Sequence, residues 1–259
     1  MAAALTHSRR KALGIWLVVL ALAVIAWHLP RIPQPPEYHR FADQSAWFGV
    51  PHFFDTSSNL LFVLAGLAGL GFLRGTAARG TFRDRREALP YTLFFIATIL
   101  VGFGSGYYHL VPDNSRLVWD RAAVSLAFMS WFAAILCERI GTTVGLRLLP
   151  LLITAGVASV GYWGWSETVG QGDLRPYVLV LLLPIVLIPL LLWLYPPRYS
   201  GDRDILAVIL LYLLALACDY LDGPIAALTG FVSGHTVKHV LAAGAAYWVV
   251  IRLKRRHPA

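Results

Sequence analysis

Eight apolar runs, each close to 20 residues long, dominate the sequence: 12–29, 57–73, 90–109, 121–139, 146–163, 176–195, 204–222 and 234–253. A helix of about 20 residues spans roughly 30 Å, the hydrocarbon thickness of a bilayer. Within hydrocarbon every backbone amide needs a partner from the chain itself, so only helices or a closed barrel can cross. No segment shows the strict alternation of a barrel strand. The chain is therefore expected to be all-α, a polytopic transmembrane helix bundle. The composition agrees: 58% of residues are hydrophobic and 14% charged, against about 25% charged in soluble domains.

The basic residues orient the bundle. Most of the 22 Lys and Arg cluster at one set of ends. These are Arg9, Arg10 and Lys11; Arg74, Arg79, Arg83, Arg85 and Arg86; Arg139 and Arg147; Arg198 and Arg203; and Arg252, Lys254, Arg255 and Arg256. Only Arg31, Arg40, Arg116, Arg121, Arg175 and Lys238 fall at the other ends. By the positive-inside rule both termini are then cytoplasmic, which an even number of spans satisfies. The net charge of +8 is accounted for by topology, and nucleic acid is not an expected partner. "THSRRK" before the first run resembles the start of a signal peptide, but "WHLPRIPQPPEYH" follows in place of a small-residue cleavage site. That run is read as an uncleaved helix. Cys137 and Cys218 lie inside apolar runs with no CxxC pattern, as small buried core residues do.

With this orientation five polar groups arrive at one depth, on the periplasmic or lumenal side. Ser105 and His109 end the third run, Asp120 begins the fourth, and His235 and His239 begin the eighth. Ionisable groups placed in apolar runs are expensive and mark function. His235 and His239 are spaced i, i+4, so one helix face offers two imidazoles to one metal. His109 supplies a third nitrogen. Three ligands with one open tetrahedral position is the arrangement of catalytic zinc, whose bound water has a pKa near 7. Asp120 is the candidate base, and Ser105, one turn from His109, a candidate to orient the water or an oxyanion. A Ser-His-Asp triad is the rival chemistry. It leaves His235 and His239 unexplained, and i, i+4 on a helix is not a nucleophile elbow.

Other polar features have simpler explanations. The glycines of "GFGSG" (102–106) suit close helix approach rather than nucleotide binding. Asn59 suits a cap or an interhelical hydrogen bond. Asp219 and Asp222 fit equally as carboxylates orienting the histidines or as helix caps. Glu37, Asp43 and Asp55 make the outer loop acidic without EF-hand spacing. Tyr107, Tyr108, Trp119, Trp163, Trp165, Tyr195, Tyr220 and Trp248 fall near run ends, as interfacial aromatic belts do.

Ser105-x3-His109, Asp120 and His235-x3-His239, together with "DTSSNLLF" at 55–62, "YYHLVPDNSRLVWDR" and "SGHTVKHVLAA", resemble the alkaline ceramidase family. That family belongs to a superfamily of membrane hydrolases which also includes the adiponectin and progestin receptors, and the last two stretches look like its bacterial members. The resemblance covers about 37–253 and implies a seven-helix core, with 1–36 forming a tail and one extra N-terminal transmembrane helix and 254–259 a basic cytoplasmic tail. It implies Zn2+ on His109, His235 and His239, Asp120 and Ser105 beside the bound water, and cleavage of the N-acyl bond of ceramide to a sphingoid base and fatty acid. The animal enzymes carry an acidic Ca2+ cluster ahead of the first core helix. Here His52 replaces one of its glutamates and the cluster is not reproduced, which puts Ca2+ regulation in doubt. A zinc-containing lipid receptor without turnover is the alternative within the superfamily. A transporter would instead place broken helices and polar groups near the bilayer midplane.

Overall fold

The computed structural model describes residues 2–75, 78 and 80–259; Arg79 of the basic set lies outside the described residues, and Arg9 is described in its backbone only. Among the described residues the chain forms ten α-helices: α1 (Ala2–His28), α2 (Phe53–Ser58), α3 (Leu60–Arg74), α4 (Ala88–Leu110), α5 (Asn114–Arg139), α6 (Thr142–Thr168), α7 (Arg175–Leu194), α8 (Asp202–Tyr220), α9 (Asp222–Thr229) and α10 (Gly234–Arg255). A two-residue hairpin, β1 (Ala46–Trp47) against β2 (Val50–Pro51), is the only sheet among them. The protein is thus an all-α bundle. Six segments are long and apolar enough to cross a membrane, α2 with α3 counting as one, and there are seven if α8 and α9, bent by 79° at their junction, also count as one. α10 has the length, at 22 residues, but His235, Lys238 and His239 in its first two turns dilute its apolar character.

Several run boundaries differ from expectation. α5 starts at Asn114 instead of 121, because Asp113 caps it: the Arg116 backbone N–H donates to the Asp113 carboxylate at 2.8 Å. A cap of this kind satisfies one of the free amides of a first turn and lets polar residues stay helical. Only 111–113 remain of the expected loop. α9 lies in a stretch read as loop, with Asp222 and Pro224 in its first turn, as helix starts favour.

α3, α4, α5, α7, α8 and α10 close a ring, each touching the next, with α7 and α8 making the least contact. α6 braces α5 and α7 from outside, and α1 packs on α7. The two helices of that last pair run antiparallel and are tied at both ends through carbonyls that a helix C-terminus leaves free. Lys11 Nζ donates to Leu194 O, and Arg175 donates to Trp27 O and Leu29 O. The rest of α1 turns Leu13, Trp16, Leu20 and Trp27 outward, more than half exposed, as a lipid-facing helix would.

At the end of the bundle holding both termini, many of the basic residues are buried in ion pairs. Glu138 of α5 accepts from Arg252 Nη2 at 2.6 Å and also from Arg256 and Tyr91. Glu87 accepts from Thr142 and Tyr199 and pairs with Arg198. Burial pushes the Tyr199 phenol up to about 12, which keeps it a donor. The final residues lie along 198–200, with Ser200 N donating to His257 O and Ala259 N to Arg198 O.

Candidate metal centre at the head of an apolar cavity

α4 ends one residue after His109, and α10 begins one residue before His235, so the ends of two helices deliver three imidazoles. Ser233 caps α10 by accepting from Thr236 N. Gly234 permits the approach: a Cβ there would lie 2.2 Å from Cys218 O and 2.7 Å from Asp222 Cα. The rings of His109, His235 and His239 are buried, with centroids 4.8 to 5.0 Å apart. One nitrogen from each lies within 4.8 Å of the others, and no other such cluster occurs among the described residues.

Hydrogen bonds fix which nitrogens face inward. Asp219 Oδ1 lies 2.7 Å from His235 Nδ1. A carboxylate only accepts, so Nδ1 carries the proton and Nε2 keeps its lone pair. His239 Nδ1 lies 3.1 Å from Asp55 O and 2.8 Å from Ser58 Oγ. The carbonyl only accepts, and the Ser58 hydroxyl itself donates to Asp55 O, so this Nδ1 also carries the proton. His109 Nε2 then sits 3.2 Å from the bare Nε2 of His235. Two such nitrogens need a proton or a cation between them. Ligands about 2.0–2.1 Å from a tetrahedral metal are roughly 3.3 Å apart, so this pair fits a metal. His109 Nδ1 has no partner and is buried. The three buried histidines can bind a metal ion.

Asp219 and Asp222, equivalent in sequence, take different roles. Asp219 orients a ring, as carboxylates beside metal ligands commonly do. Asp222 accepts from His235 N at 2.8 Å and from Ala42 N at 2.9 Å, fastening the outer loop to the start of α10. That loop puts Phe41 over the centre, its ring 4.5 Å from His109 and 4.8 Å from His235.

The other side opens on a partly open cavity of about 280 Å³ lined by the helix ring. Ser105, Asp120, Asp219, Lys238 and His239 line its head. Below them the wall is apolar, reaching Phe94, Trp131 and Ala246. From Asp120 to Trp131 along α5 is roughly 16 Å at about 1.5 Å per residue. His239 is the only one of the three histidines in this wall. Ser105 and Asp120 meet where α4 crosses α5, and Gly104 sets that distance: a Cβ there would lie 2.9 Å from Trp119 O and 3.2 Å from Asp120 N. Gly102 plays the same part against α3, its missing Cβ 2.9 Å from Asn59 O. The close-approach explanation of "GFGSG" holds at both positions. We expect Gly104→Val to cost about 1–3 kcal/mol, the usual range for overpacking, and to lower the melting temperature in detergent. Gly106→Ala should not, because its nearest neighbour would be 3.9 Å away. Equal melting temperatures for the two variants would refute the crossing argument.

Two of the three acids of the outer segment, Asp43 and Asp55, bond within the structure. Asp43 accepts from Phe54 N, Asp55 N and Ser45, capping α2. Asp55 accepts from Ser233 and Thr236 of α10. Asn59, at the junction of α2 and α3, donates to Asp55 O of α2. Tyr107, Trp119, Trp165 and Tyr220 are exposed, as belt residues would be, but Tyr108 and Trp163 are buried. Tyr108 bonds to His39 at 2.9 Å, and Trp163 stacks on Arg121. Phe41, Ser58, Arg121 and Lys238 were not anticipated as parts of the site. Of these, Lys238 alone had a sequence cue, standing between the two histidines of α10.

Fold and site together define a membrane-type helical bundle with a buried three-histidine centre at the polar head of an apolar cavity. Comparison with protein-family models finds no match, and comparison with curated proteins finds none either.

Proposed function

We propose that the protein is a zinc-dependent integral-membrane lipid amide hydrolase of ceramidase type. The observation that supports this most is the single cavity joining Asp120, Ser105 and His239 to a long apolar wall. A lipid can lay its acyl chain along α4, α5 and α10 and bring its amide to the head. In this proposal α1 is an eighth span added to a seven-helix core that includes α10, both termini are cytoplasmic, and the centre faces the periplasmic or lumenal side.

His109, His235 and His239 would hold the ion. When bound, zinc supplies Lewis acidity, which acidifies water and polarises an amide carbonyl. Asp120 takes a proton from the attacking water and returns it to the amide nitrogen as the C–N bond breaks, giving a carboxylic acid and a free amine. Ser105, facing Asp120 across the crossing, orients the water. Phe41 keeps bulk water off the histidines, and Asp219 keeps the His235 ring in one tautomer.

Purified protein with bound zinc should release fatty acid from ceramide, and Asp120→Ala should cut the rate about 10²–10⁴-fold, the range for loss of a general base, with zinc retained. Zinc present but no lipid amide cleaved would leave a zinc-containing lipid receptor as the better description.

A further inference from the structure

The cavity head carries two cations that the hydrolysis above does not use. Arg121 lines the cavity and is 6% exposed. Among the described residues it has no ion-pair partner. It donates to the neutral side chain of Gln34, and its Nη1 has no acceptor. The faces of Trp163, Tyr177 and Tyr38 lie 4.1, 5.1 and 5.6 Å from the guanidinium. Aromatic faces offset part of the cost of burying a cation, but a counter-charge offsets more. Lys238 also lines the cavity, with Nζ 3.1 Å from Asp219 Oδ1. That same oxygen already accepts from His235 Nδ1, and an ammonium has three protons to donate. The two acids of the cavity head are thus engaged elsewhere, Asp219 with His235 and Asp120 in proton transfer. Arg121 follows Asp120 directly in the chain, so an anion meeting it would belong to the part of a lipid close to the amide.

We propose that the cavity head selects a lipid amide whose amine-derived part carries an anionic group, held by Arg121 and Lys238, over an uncharged amide with the same acyl chain. The proposal rests on the cavity being the lipid site of the amidase above and narrows its substrate class. A carboxylate beside the amide nitrogen has the required chemistry. It neutralises the buried charge of Arg121 and takes the spare donors of Lys238, whereas a head group bearing only hydroxyls leaves the guanidinium uncompensated.

The test is displacement of a fluorescent fatty amide from the full chain in nanodiscs by N-palmitoylglycine, N-palmitoylethanolamine and palmitate. N-palmitoylglycine should act at a roughly ten- to hundredfold lower concentration than the ethanolamide, the worth of one hydrogen bond to a charged group. Lys238→Met and Arg121→Gln should each remove most of that preference, read as the ratio of the two amides' displacement concentrations within the same variant. Lys238→Met decides the matter alone if Arg121→Gln does not fold. Equal displacement by the two amides in the unmodified chain would overturn the proposal, as would a preference that survives substitution. Palmitate acting as well as N-palmitoylglycine would also overturn it, since the site would then bind an acyl carboxylate. Failure to hydrolyse any amide would remove the amidase proposal and leave this binding preference measurable.

Discussion

Replacing His235 with alanine should strip zinc from the protein. His235 contributes the Nε2 that faces His109 Nε2 at 3.2 Å, and without it two imidazoles on two helices remain, too few to compete with dilute chelator. Metal analysis after dialysis against buffered zinc should fall from about one ion per chain, the content of a single three-ligand site, to a trace. The carboxylate behind the ring gives a graded case. Asp219→Ala leaves every ligand in place but frees the ring that Oδ1 fixes at 2.7 Å, so zinc affinity should drop about 10–100-fold. Asp222→Ala makes the control, because Asp222 bonds only backbone N–H groups, those of His235 and Ala42. It should cost stability while zinc affinity stays near that of the unmodified chain. The assignment of the centre fails if His235→Ala retains zinc undiminished. The separation of roles fails if the two aspartate variants lose zinc alike.

The bundle was legible in the sequence because hydrocarbon leaves so few options. A run of apolar residues long enough to cross must satisfy its own backbone, and the helices fall where the runs do. Their ends were less legible. Hydropathy reports where side chains meet lipid or core, whereas a helix stops where its last amides find other partners. α5 therefore reaches back to Asn114 under the Asp113 cap, and α6 extends from Thr142 to Thr168 beyond the apolar run 146–163. α9 stayed hidden because eight residues beginning Asp-Gly-Pro carry no periodicity of their own. α10 shows a different conflict. The histidines and lysine of its first two turns also make it the least membrane-like of the long helices, and its apolar second half carried the expectation.

The clustering of the three histidines was legible for a geometric reason: i, i+4 spacing fixes a helix face, and charge asymmetry fixes a depth. What lies around them depends on contacts distant in sequence. Ser58 reaches His239 across 181 positions and Asp55 reaches Thr236 across the same interval. Nothing local distinguishes Asp219 from Asp222, or tells that Trp163 stacks on a buried arginine while Trp165 lies exposed. Charge counting had the same blind spot. It scored Arg121, Arg252 and Arg256 as markers of topology, yet each is nine-tenths buried or more.

That burial leads to the second large effect expected. Glu138→Ala should destabilise the protein by about 3–5 kcal/mol, the cost of leaving buried charge without its partner. Glu138 is 2% exposed and accepts from both Arg252 and Arg256. No other carboxylate among the described residues lies within ion-pair distance of either arginine. Arg256 already has Nε and Nη2 without hydrogen-bond partners, and its one other side-chain acceptor is the neutral Tyr91 hydroxyl at 3.3 Å, which cannot replace the lost charge. The loss should appear as a lower melting temperature in detergent, with zinc still bound by the folded fraction, because the cluster and the metal centre sit at opposite ends of α10. Tyr91→Phe removes the hydroxyl that donates to this carboxylate and accepts from both arginines, but it leaves the ion pairs in place and should cost less, about 1.5–3 kcal/mol. Adding Arg256→Met to Glu138→Ala should recover part of the loss, since partners in one network do not add. An unchanged melting temperature in Glu138→Ala would mean the two arginines find water when the acid is gone, and the positive charge at this end would then reflect topology alone.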